Sequence, residues 1–321
     1  MPRLIFPAPV QAALYAMAAT LCFSLNDASI KFISGGYALH QIVLFRSVIG
    51  LVILCGVFIP LAGSFSVFRT NRLGMHLLRG LCVVFANLCF FLGLASLELA
   101  EGTALFFVSP LLITVFSVIF LKEVVGRHRW LSVCVGLVGI VIILRPGTDA
   151  FQLASLLPLG AATAYACLHM LTRYIGKTES AQTMSFYIQL TFVIVCSSFG
   201  VVAGGGQFSG FDNPSLEFMF RAWTVPDTSD YLIFLIIGVA SAFGGFFISQ
   251  AYRMAEAGYV APFEYIAMPL ALFWGASLFG EWPDGWSLTG MCLIVGAGLY
   301  IVWREAVNMR HQRRGMPHYR R

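Results

Sequence analysis

Charged side chains are scarce in this chain of 321 residues, since Lys, Arg, Asp and Glu together fill only 11% of the positions. Apolar residues fill 59%, and the mean hydropathy is +0.82. Soluble globular proteins carry more charge and less apolar surface than this. The composition therefore argues against a soluble fold and predicts a protein that crosses a lipid bilayer several times.

Motifs for several chemistries are also lacking. The sequence contains no P-loop pattern GxxxxGK[ST], no HExxH, no GxSxG and no CxxC pair. ATP hydrolysis, zinc peptidase chemistry and serine hydrolase chemistry thus have no motif to support them. All eight cysteines fall inside apolar runs, where they are expected to pack as small hydrophobes. We predict no enzyme, no catalytic residue, no metal and no cofactor.

Ten apolar segments remain when about 20 residues are taken as the length of a spanning helix. The segments are 10–32, 40–61, 74–96, 102–121, 130–145, 152–173, 183–204, 231–252, 259–279 and 286–303. The first apolar run continues too far to be a signal peptide, so we interpret it as the first helix. The sequence therefore predicts an all-α polytopic membrane protein with ten transmembrane helices.

Arginine and lysine are distributed unevenly between the two sides of this predicted topology. With the N-terminus inside, sixteen of the 20 basic residues fall on the cytoplasmic side. Lys31, Arg145 and Arg221 fall on the opposite side, and Arg46 lies within the second helix. Cytoplasmic loops of membrane proteins are enriched in such residues. Both termini are therefore predicted to be cytoplasmic, and the net charge of +5 is attributed to topology and not to nucleic-acid binding.

The segments Leu97–Glu123 and Ala255–Glu281 share a sequence pattern, which we call the echo. Each runs from a polar turn through an apolar stretch with one proline, Pro110 or Pro269, to a closing glutamate. Such repetition predicts two repeats, 8–145 and 152–304, followed by a basic cytoplasmic tail at 305–321. Because five helices per repeat is an odd number, the second repeat must cross the membrane in the opposite direction. The predicted architecture is two inverted five-helix repeats.

Three short patterns carry a resemblance to a known family. They are Leu44-Phe45-Arg46-Ser47, Phe120-Leu121-Lys122-Glu123 and Phe279-Gly280-Glu281, the last two standing before glycine-rich helices. In this order the chain resembles the drug/metabolite transporter superfamily, EamA type. The resemblance implies a cavity between helices 1, 3, 4, 6, 8 and 9, and a cargo among small organic solutes such as amino acids, nucleoside-like compounds, quaternary amines, drugs and riboflavin.

Polar residues inside predicted spans are the candidate substrate-binding residues, because they are costly in a bilayer and usually face a cavity or a partner helix. Aromatic pairs on four predicted helices add walls suited to a flat or cationic solute. The candidates are Asp27, Arg46, Asn87, His169, Gln250, Glu264, Tyr265, Phe91 and Phe107.

Several of these residues have two interpretations. Asp27 and Arg46 fall at a similar predicted depth, so they form either a structural ion pair or direct contacts to substrate; Lys31, one turn on, is another partner for Asp27. Glu264 is either a satisfied hydrogen-bonding residue or a ligand for a cationic solute or a coupling proton. His169 is either a packing residue or a proton relay.

Local breaks in the apolar pattern raise further expectations. The segment 204–230, rich in Gly, Pro and Asp, is interpreted as an extracellular loop that dips aromatics into the membrane interface, with a lid as the alternative. Pro110 and Pro269 each remove a helical hydrogen bond, which predicts a static kink or a moving hinge near mid-membrane.

Together these features favour a secondary transporter of a small amphipathic metabolite, working by alternating access in the cell inner membrane. Riboflavin is the first solute to test, followed by nucleoside-like and amino-acid solutes. Its partners would be the solute, the lipid bilayer and, as a candidate coupling ion, the proton; no nucleic acid is expected, and the protein would be a monomer or a homodimer. A non-transporting assembly or sensor protein and an intramembrane enzyme are the alternatives.

Overall fold

The structure is a computed structural model that describes residues 7–58, 60, 68–122, 126–147 and 152–314. Every regular element within those ranges is helical. The helices are α1 Ala8–Ile33, α2 Leu39–Ile53, α3 Leu73–Leu94, α4 Leu99–Phe106, α5 Ser109–Leu121, α6 Arg127–Leu144, α7 Leu156–Ile175, α8 Ala181–Ala203, α9 Pro214–Phe220, α10 Tyr231–Met254, α11 Ala257–Val260, α12 Ala267–Trp274 and α13 Gly285–Arg314. Glu123 and residues 315–321 of the predicted tail lie outside the described ranges.

Seven helical segments of the described residues have the length and hydropathy needed to cross a bilayer, with α4 and α5 forming one of them. Two shorter apolar helices, Trp130–Leu144 and Gly285–Tyr300, lie within α6 and α13. The all-helical membrane fold is thereby confirmed. The arrangement as ten helices in two inverted repeats stays a prediction.

Proline breaks the segments that carry the echo. A turn at Phe107–Val108 separates α4 from α5, and Pro110 then occupies the first turn of α5, where its missing N–H costs little. The second copy is more interrupted, since a 3-10 helix at Ala261–Ile266 holds Pro262 and a π-helix at Gly275–Phe279 follows α12. Pro269 stands in the first turn of α12, directly after that 3-10 helix, so each predicted proline adjoins a change in the helix and neither lies within a continuous α-helix.

Three helix pairs form the main contacts of the bundle: α1 with α10, α3 with α7, and α6 with α13. Small residues permit these close approaches. A Cβ added to Gly139 of α6 would stand 2.7 Å from the Gly290 carbonyl oxygen of α13, and a Cβ on Gly290 would stand 2.5 Å from the Gly139 oxygen. The backbones of α6 and α13 therefore touch at a crossing that only glycine allows.

The segment between α8 and α10 packs onto the protein. Trp223 covers Gly200 and Gly204 at the end of α8, and its ring lies 5.5 Å from that of His40 in α2. Tyr37 donates to Asp230 Oδ2 at 2.7 Å, which joins the far end of the segment to the α1–α2 turn. Phe218, at 3% exposure, is core. The prediction that this segment dips its aromatics into the interface is wrong for Phe218, because that ring packs in the core between the helices.

Candidate functional site

A cavity of about 160 Å³ lies between the helices, more than ten times the space that one buried water requires. Residues of α1, α2, α3, α4, α7, α8 and α10 line it. The family resemblance implied helices 1, 3, 4, 6, 8 and 9, but the described lining also comes from the second and seventh predicted helices and not from the ninth. The full lining is Phe23, Asn26, Asp27, Arg46, Val83, Ala86, Asn87, Phe90, Phe106, Tyr165, Leu168, His169, Ser185, Ile188, Gln189, Phe192, Ser241, Gly245 and Ile248.

Asp27, Arg46, Asn87 and His169 are the predicted site residues that the fold brings together at this cavity. They come from α1, α2, α3 and α7, which are far apart in sequence. Arg46 is 4% exposed although it carries a charge. Polar and charged groups inside a membrane protein usually face a partner or a cavity, and here four helices each contribute one such residue to the lining of one space.

The predicted ion pair between Asp27 and Arg46 does not form. Among the ion pairs of the described residues none joins these two side chains. Asp27 accepts from Asn26 Nδ2 at 2.9 Å, whereas Arg46 Nη2 donates weakly to Asn87 Oδ1 at 3.5 Å and its guanidinium lies 4.8 Å from the centre of the Phe192 ring. Both charges thus line the cavity without neutralising each other in a direct contact.

Lys31 is not the partner of Asp27 either. Its ammonium bonds Glu281 Oε1 at 2.7 Å and Oε2 at 3.0 Å, and donates to the Leu97 carbonyl at 3.0 Å. Glu281 Oε2 also accepts the Leu99 N–H at 2.8 Å, at the start of α4. We call Lys31, Glu281 and the backbone of Leu97 and Leu99 the Lys31 cluster. It lies one helical turn beyond Asp27 on α1.

Several polar atoms of the cavity wall make no hydrogen bond within the described part of the chain, although they are buried. They are Asn26 Oδ1, Arg46 Nε, Ser185 Oγ, Gln189 Oε1 and both ring nitrogens of His169. Buried polar groups without partners are destabilising, and proteins retain few of them. Six such atoms belong to the residues that line this one cavity.

Glu264 lies one layer behind the cavity wall. Tyr165, which lines the cavity, donates to its Oε2 at 2.9 Å, and Tyr252 donates to its Oε1. His169 stacks on Tyr252 with ring centres 3.9 Å apart and meets Tyr165 edge-on at 4.1 Å. Of the two interpretations of Glu264, the structure shows the hydrogen-bonded one, in which a carboxylate fixes two tyrosines.

Four other predicted site residues also lie outside the lining. Gln250 donates to the Met254 sulphur at 3.4 Å, while Phe91 and Phe107 are 1% and 4% exposed in the apolar core. Tyr265 fills the space over Gly298 of α13. For these residues and Glu264, contact with substrate stays a prediction that this cavity does not support.

Gln189 and Ser241 are wall residues that are not among the candidates selected from the sequence. Gln189 Nε2 donates to Ser241 Oγ at 3.2 Å, which bridges α8 to α10. The side chain has room because the facing residue of α2 is Gly50, whose absent Cβ would stand 2.7 Å from Gln189 Nε2. In the sequence Gln189 is an amide side chain within an apolar run, and so is Gln250. Only the packing of the helices shows that Gln189 lines the cavity and Gln250 does not.

The predicted topology places Arg79 among the sixteen basic residues on the cytoplasmic side. In the structure its side chain is buried within α3, at 1% exposure. Its Nε donates to Thr172 Oγ1 at 3.0 Å. Nearby, His76 Nε2 lies 3.5 Å from Glu179 Oε2, and Thr70 Oγ1 donates to Glu179 Oε1 at 2.9 Å. We call these five residues the Arg79 cluster. The sequence indicates this burial in one way, because Arg79 falls inside the predicted helix 74–96.

The two clusters lie at opposite ends of α3. Arg79 is in the second turn of this helix, whereas Leu97 of the Lys31 cluster follows its C-terminus. At about 1.5 Å per residue, Arg79 and the end of α3 at Leu94 are roughly 22 Å apart along the axis. Val83, Ala86, Asn87 and Phe90 of the cavity wall lie between them. A polar contact network therefore stands on each side of the cavity.

Comparison with known proteins finds a similar family for part of the chain. Residues 10–145 match the EamA-like transporter family. The match spans the first of the two predicted repeats. The chain is 29% identical over 309 residues to a riboflavin transporter of Vibrio cholerae, a match that covers 95% of this chain and 97% of the relative.

Other relatives extend the comparison. An S-adenosylmethionine uptake transporter of Rickettsia prowazekii is 25% identical over 286 residues, covering 89% of this chain and 90% of its own. A riboflavin transporter of Rhizobium johnstonii is 28% identical over 246 residues, covering 77% and 74%. A solved crystal structure with 17% sequence identity superimposes with a TM-score of 0.68 over 91% of this chain and 96% of that chain, which shows a shared fold.

Proposed function

We propose that this EamA-like protein is a secondary transporter of a flat heteroaromatic metabolite with a polar substituent, with riboflavin as the first solute to test. The observation that carries the proposal is the central cavity. Aromatic rings of Phe90, Phe106 and Tyr165 stand beside Arg46, Asp27 and six buried polar atoms that lack partners in the described chain. A heterocycle offers a face to the rings and an edge of donors and acceptors to the polar atoms.

The names of the relatives support the same class of solute. Riboflavin and S-adenosylmethionine both combine a nitrogen heterocycle with a hydroxylated chain or sugar, and the relatives named for them match most of this chain. Asp27 also supports a second candidate, a cationic nucleoside-like solute, because a carboxylate among aromatic faces suits a sulphonium or ammonium group. Amino-acid solutes come third.

The test is uptake by purified protein in proteoliposomes preloaded with unlabelled solute. Saturable counterflow of labelled riboflavin, blocked by excess riboflavin and not by S-adenosylmethionine, is expected. Arg46→Met should raise KM at least tenfold, since a buried cation that meets a polar solute contributes on the order of 1.5–3 kcal/mol. Arg173→Met, on α7 but outside the cavity lining, is the matched control.

Each outcome separates the candidates. Counterflow of labelled S-adenosylmethionine alone would favour the cationic solute, and its loss in Asp27→Asn would confirm the role of the carboxylate. If neither solute nor any amino acid exchanges, while the protein remains monodisperse, the proposal of transport is refuted in favour of an assembly or sensor role.

Alternating access is the mechanism that we propose, with the two halves 8–145 and 152–304 moving as inverted five-helix repeats in the cell inner membrane. In this scheme the Lys31 cluster closes one end of the path and the Arg79 cluster the other. Both termini would be cytoplasmic, and fusion of a reporter active on only one side of the membrane to residue 314 tests this. The protein would act as a monomer or a homodimer.

The Lys31 cluster provides a test of this mechanism. Glu281→Gln should reduce the rate of exchange by at least tenfold and leave solute binding intact, because the closed state would lose its ion pair. The double exchange Lys31→Glu with Glu281→Lys should recover part of the rate. Asp284→Asn in the same loop, which breaks the exposed pair with Arg145, is the matched control and should change little. If Glu281→Gln and Asp284→Asn reduce the exchange rate equally, the role of the Lys31 cluster in closing the path is refuted.

A further inference from the structure

A second cavity, of about 80 Å³, lies between α2, α3, α8 and α9. Asn87 and Phe192 belong to the walls of both cavities. The two spaces therefore lie on either side of the same two side chains. We call the first the polar cavity and the second the apolar pocket. The walls of the apolar pocket are Leu39, His40, Val43, Val84, Asn87, Leu88, Phe192, Val195, Cys196, Phe199 and Met219.

The boundary between the two spaces is weakly held. Arg46 reaches it from α2, where its guanidinium lies over Phe192 at 4.8 Å and Nη2 lies 3.5 Å from Asn87 Oδ1. A donor–acceptor distance of 3.5 Å is beyond the usual range of a strong hydrogen bond. Arg46 Nε makes no hydrogen bond in the described chain. The arginine can therefore turn towards a bound molecule without breaking a strong hydrogen bond.

The chemistry of the apolar pocket differs from that of its neighbour. Apolar side chains such as Val43, Val84 and Leu88 form most of the wall, its polar members are His40 and Asn87, and the described lining holds no acidic, Lys or Arg side chain. An apolar cavity stays dry and binds apolar groups, whereas a polar or charged group placed there would lose its hydration without compensation. The pocket thus suits an uncharged hydrocarbon ring or methyl groups.

Met219 of α9 closes the pocket on one side. The helix is tied to the end of α3, since Ser215 Oγ donates to the Leu92 carbonyl at 2.6 Å and lies 2.9 Å from Ser96 Oγ. Asn213 caps its first turn by accepting the N–H groups of Ser215 and Leu216. A fixed helix with one adaptable methionine makes a wall that can fit apolar groups of different shape.

We propose that the apolar pocket is a second subsite of the transport site and takes the uncharged, methyl-bearing aromatic end of the solute. The polar heterocycle and its hydroxylated chain remain in the polar cavity, with the ring system crossing between Asn87 and Phe192. This inference rests on the proposed function and deepens it: the substrate class narrows to a fused ring with one apolar and one polar end.

The test compares two solutes in the proteoliposome assay. One is riboflavin; the other is the ribityl lumazine that keeps the pyrimidine ring and ribityl chain but lacks the dimethylbenzene ring. The wild-type protein should bind riboflavin more tightly by at least about tenfold, the effect expected from burying the two methyl groups alone. Val84→Phe fills the apolar pocket, so this preference should disappear while inhibition by the lumazine is unchanged.

Leu81→Phe is the matched control, because Leu81 is on the same helix but 59% exposed. The inference is overturned if Val84→Phe weakens the binding of both solutes equally, or if it leaves the preference for riboflavin over the lumazine intact. If the wild-type protein shows no saturable exchange of either solute, the proposed function fails, and the subsite with it. Wild-type exchange with an unaltered preference in Val84→Phe refutes the subsite alone.

A second variant guards against a folding defect in Val84→Phe. Met219→Ala enlarges the pocket from the α9 side, where the residue is partly exposed. It should increase inhibition by a flavin bearing a dimethylamino group on its benzene ring at least threefold relative to inhibition by riboflavin. Equal inhibition ratios in wild type and Met219→Ala would contradict the subsite, whatever Val84→Phe does.

Discussion

Tyr165 and Tyr252 offer a matched pair of substitutions, since both donate a hydrogen bond to Glu264 but only Tyr165 lines the polar cavity. Glu264 is 5% exposed, and Tyr252 is 0% exposed. Replacing either tyrosine by phenylalanine removes one donor and leaves the ring in place. We predict that both variants lose stability and that only Tyr165→Phe changes recognition of the solute.

The magnitude follows from the type of hydrogen bond. A hydrogen bond to a charged acceptor contributes about 1.5–3 kcal/mol, and a buried carboxylate left with one donor in place of two loses that contribution. Each single variant should therefore lower the free energy of unfolding by about 1.5–3 kcal/mol. In Tyr165→Phe the ring also loses the contact that orients it against Phe106, whose centre lies 5.0 Å away. Its KM should rise about fivefold or more, the equivalent of about 1 kcal/mol of a lost aromatic contact.

The measurements are reversible unfolding in mixed micelles and riboflavin exchange in proteoliposomes. Glu264→Gln combined with Tyr165→Phe completes a double-mutant cycle, in which a coupling energy of about 0.5–3 kcal/mol is expected for groups in contact. An equal KM change in Tyr252→Phe and Tyr165→Phe would refute the separate roles of the two tyrosines. Unchanged stability in both would refute the hydrogen-bonded carboxylate altogether.

Three further predictions concern other parts of the chain. Gly50→Ala should displace Gln189 and weaken exchange severalfold, because the new Cβ would stand 2.7 Å from Gln189 Nε2, whereas Gly56→Ala, with nothing within 4 Å, should be neutral in the same assay. Gly139→Val should destabilise the α6–α13 crossing by about 1–3 kcal/mol, measured by unfolding in micelles, with loss of at most a few tenths contradicting the contact. Glu217 accepts hydrogen bonds from the N–H groups of Gly210 and Phe211, which lower the pKa of its carboxyl from 4.5. Protection of these loop amides from hydrogen exchange should therefore persist on acidification to pH 4.5 and be lost only as pH falls through the lowered pKa. In Glu217→Gln the loop amides should exchange faster already at pH 7, and exchange rates equal to those of the wild type would contradict the role of these two hydrogen bonds.

Residues that are exceptional for their surroundings could be found from the sequence. Asp27, Arg46, Asn87 and His169 are polar groups in apolar runs, and all four line the polar cavity. The same rule also selected Gln250 and Glu264, which do not line it. Periodicity gives the face of a helix but not what stands opposite that face, so a satisfied buried group and a ligand-binding group look alike.

The contact partners of the charged residues could be identified only from the tertiary structure. Lys31 is one helical turn from Asp27, yet it pairs with Glu281, which is 250 positions away. Arg46 does not pair with Asp27 but stacks on Phe192. Local spacing favours i to i+4 partners, whereas helix packing brings distant residues closer than a turn does. The sequence pattern alone therefore predicted the wrong contact for Lys31.

What the sequence by itself determined is the solvent of this protein: apolar segments long enough to span a bilayer, scarce charge and an uneven spread of arginine and lysine require helices in a membrane. Only the tertiary structure decided which polar residues share a cavity, that Glu264 stands behind its wall, and that an apolar pocket adjoins it at Asn87 and Phe192. The physical reason is that hydrophobicity acts without direction, whereas a binding site depends on which side chains face each other once the helices have packed.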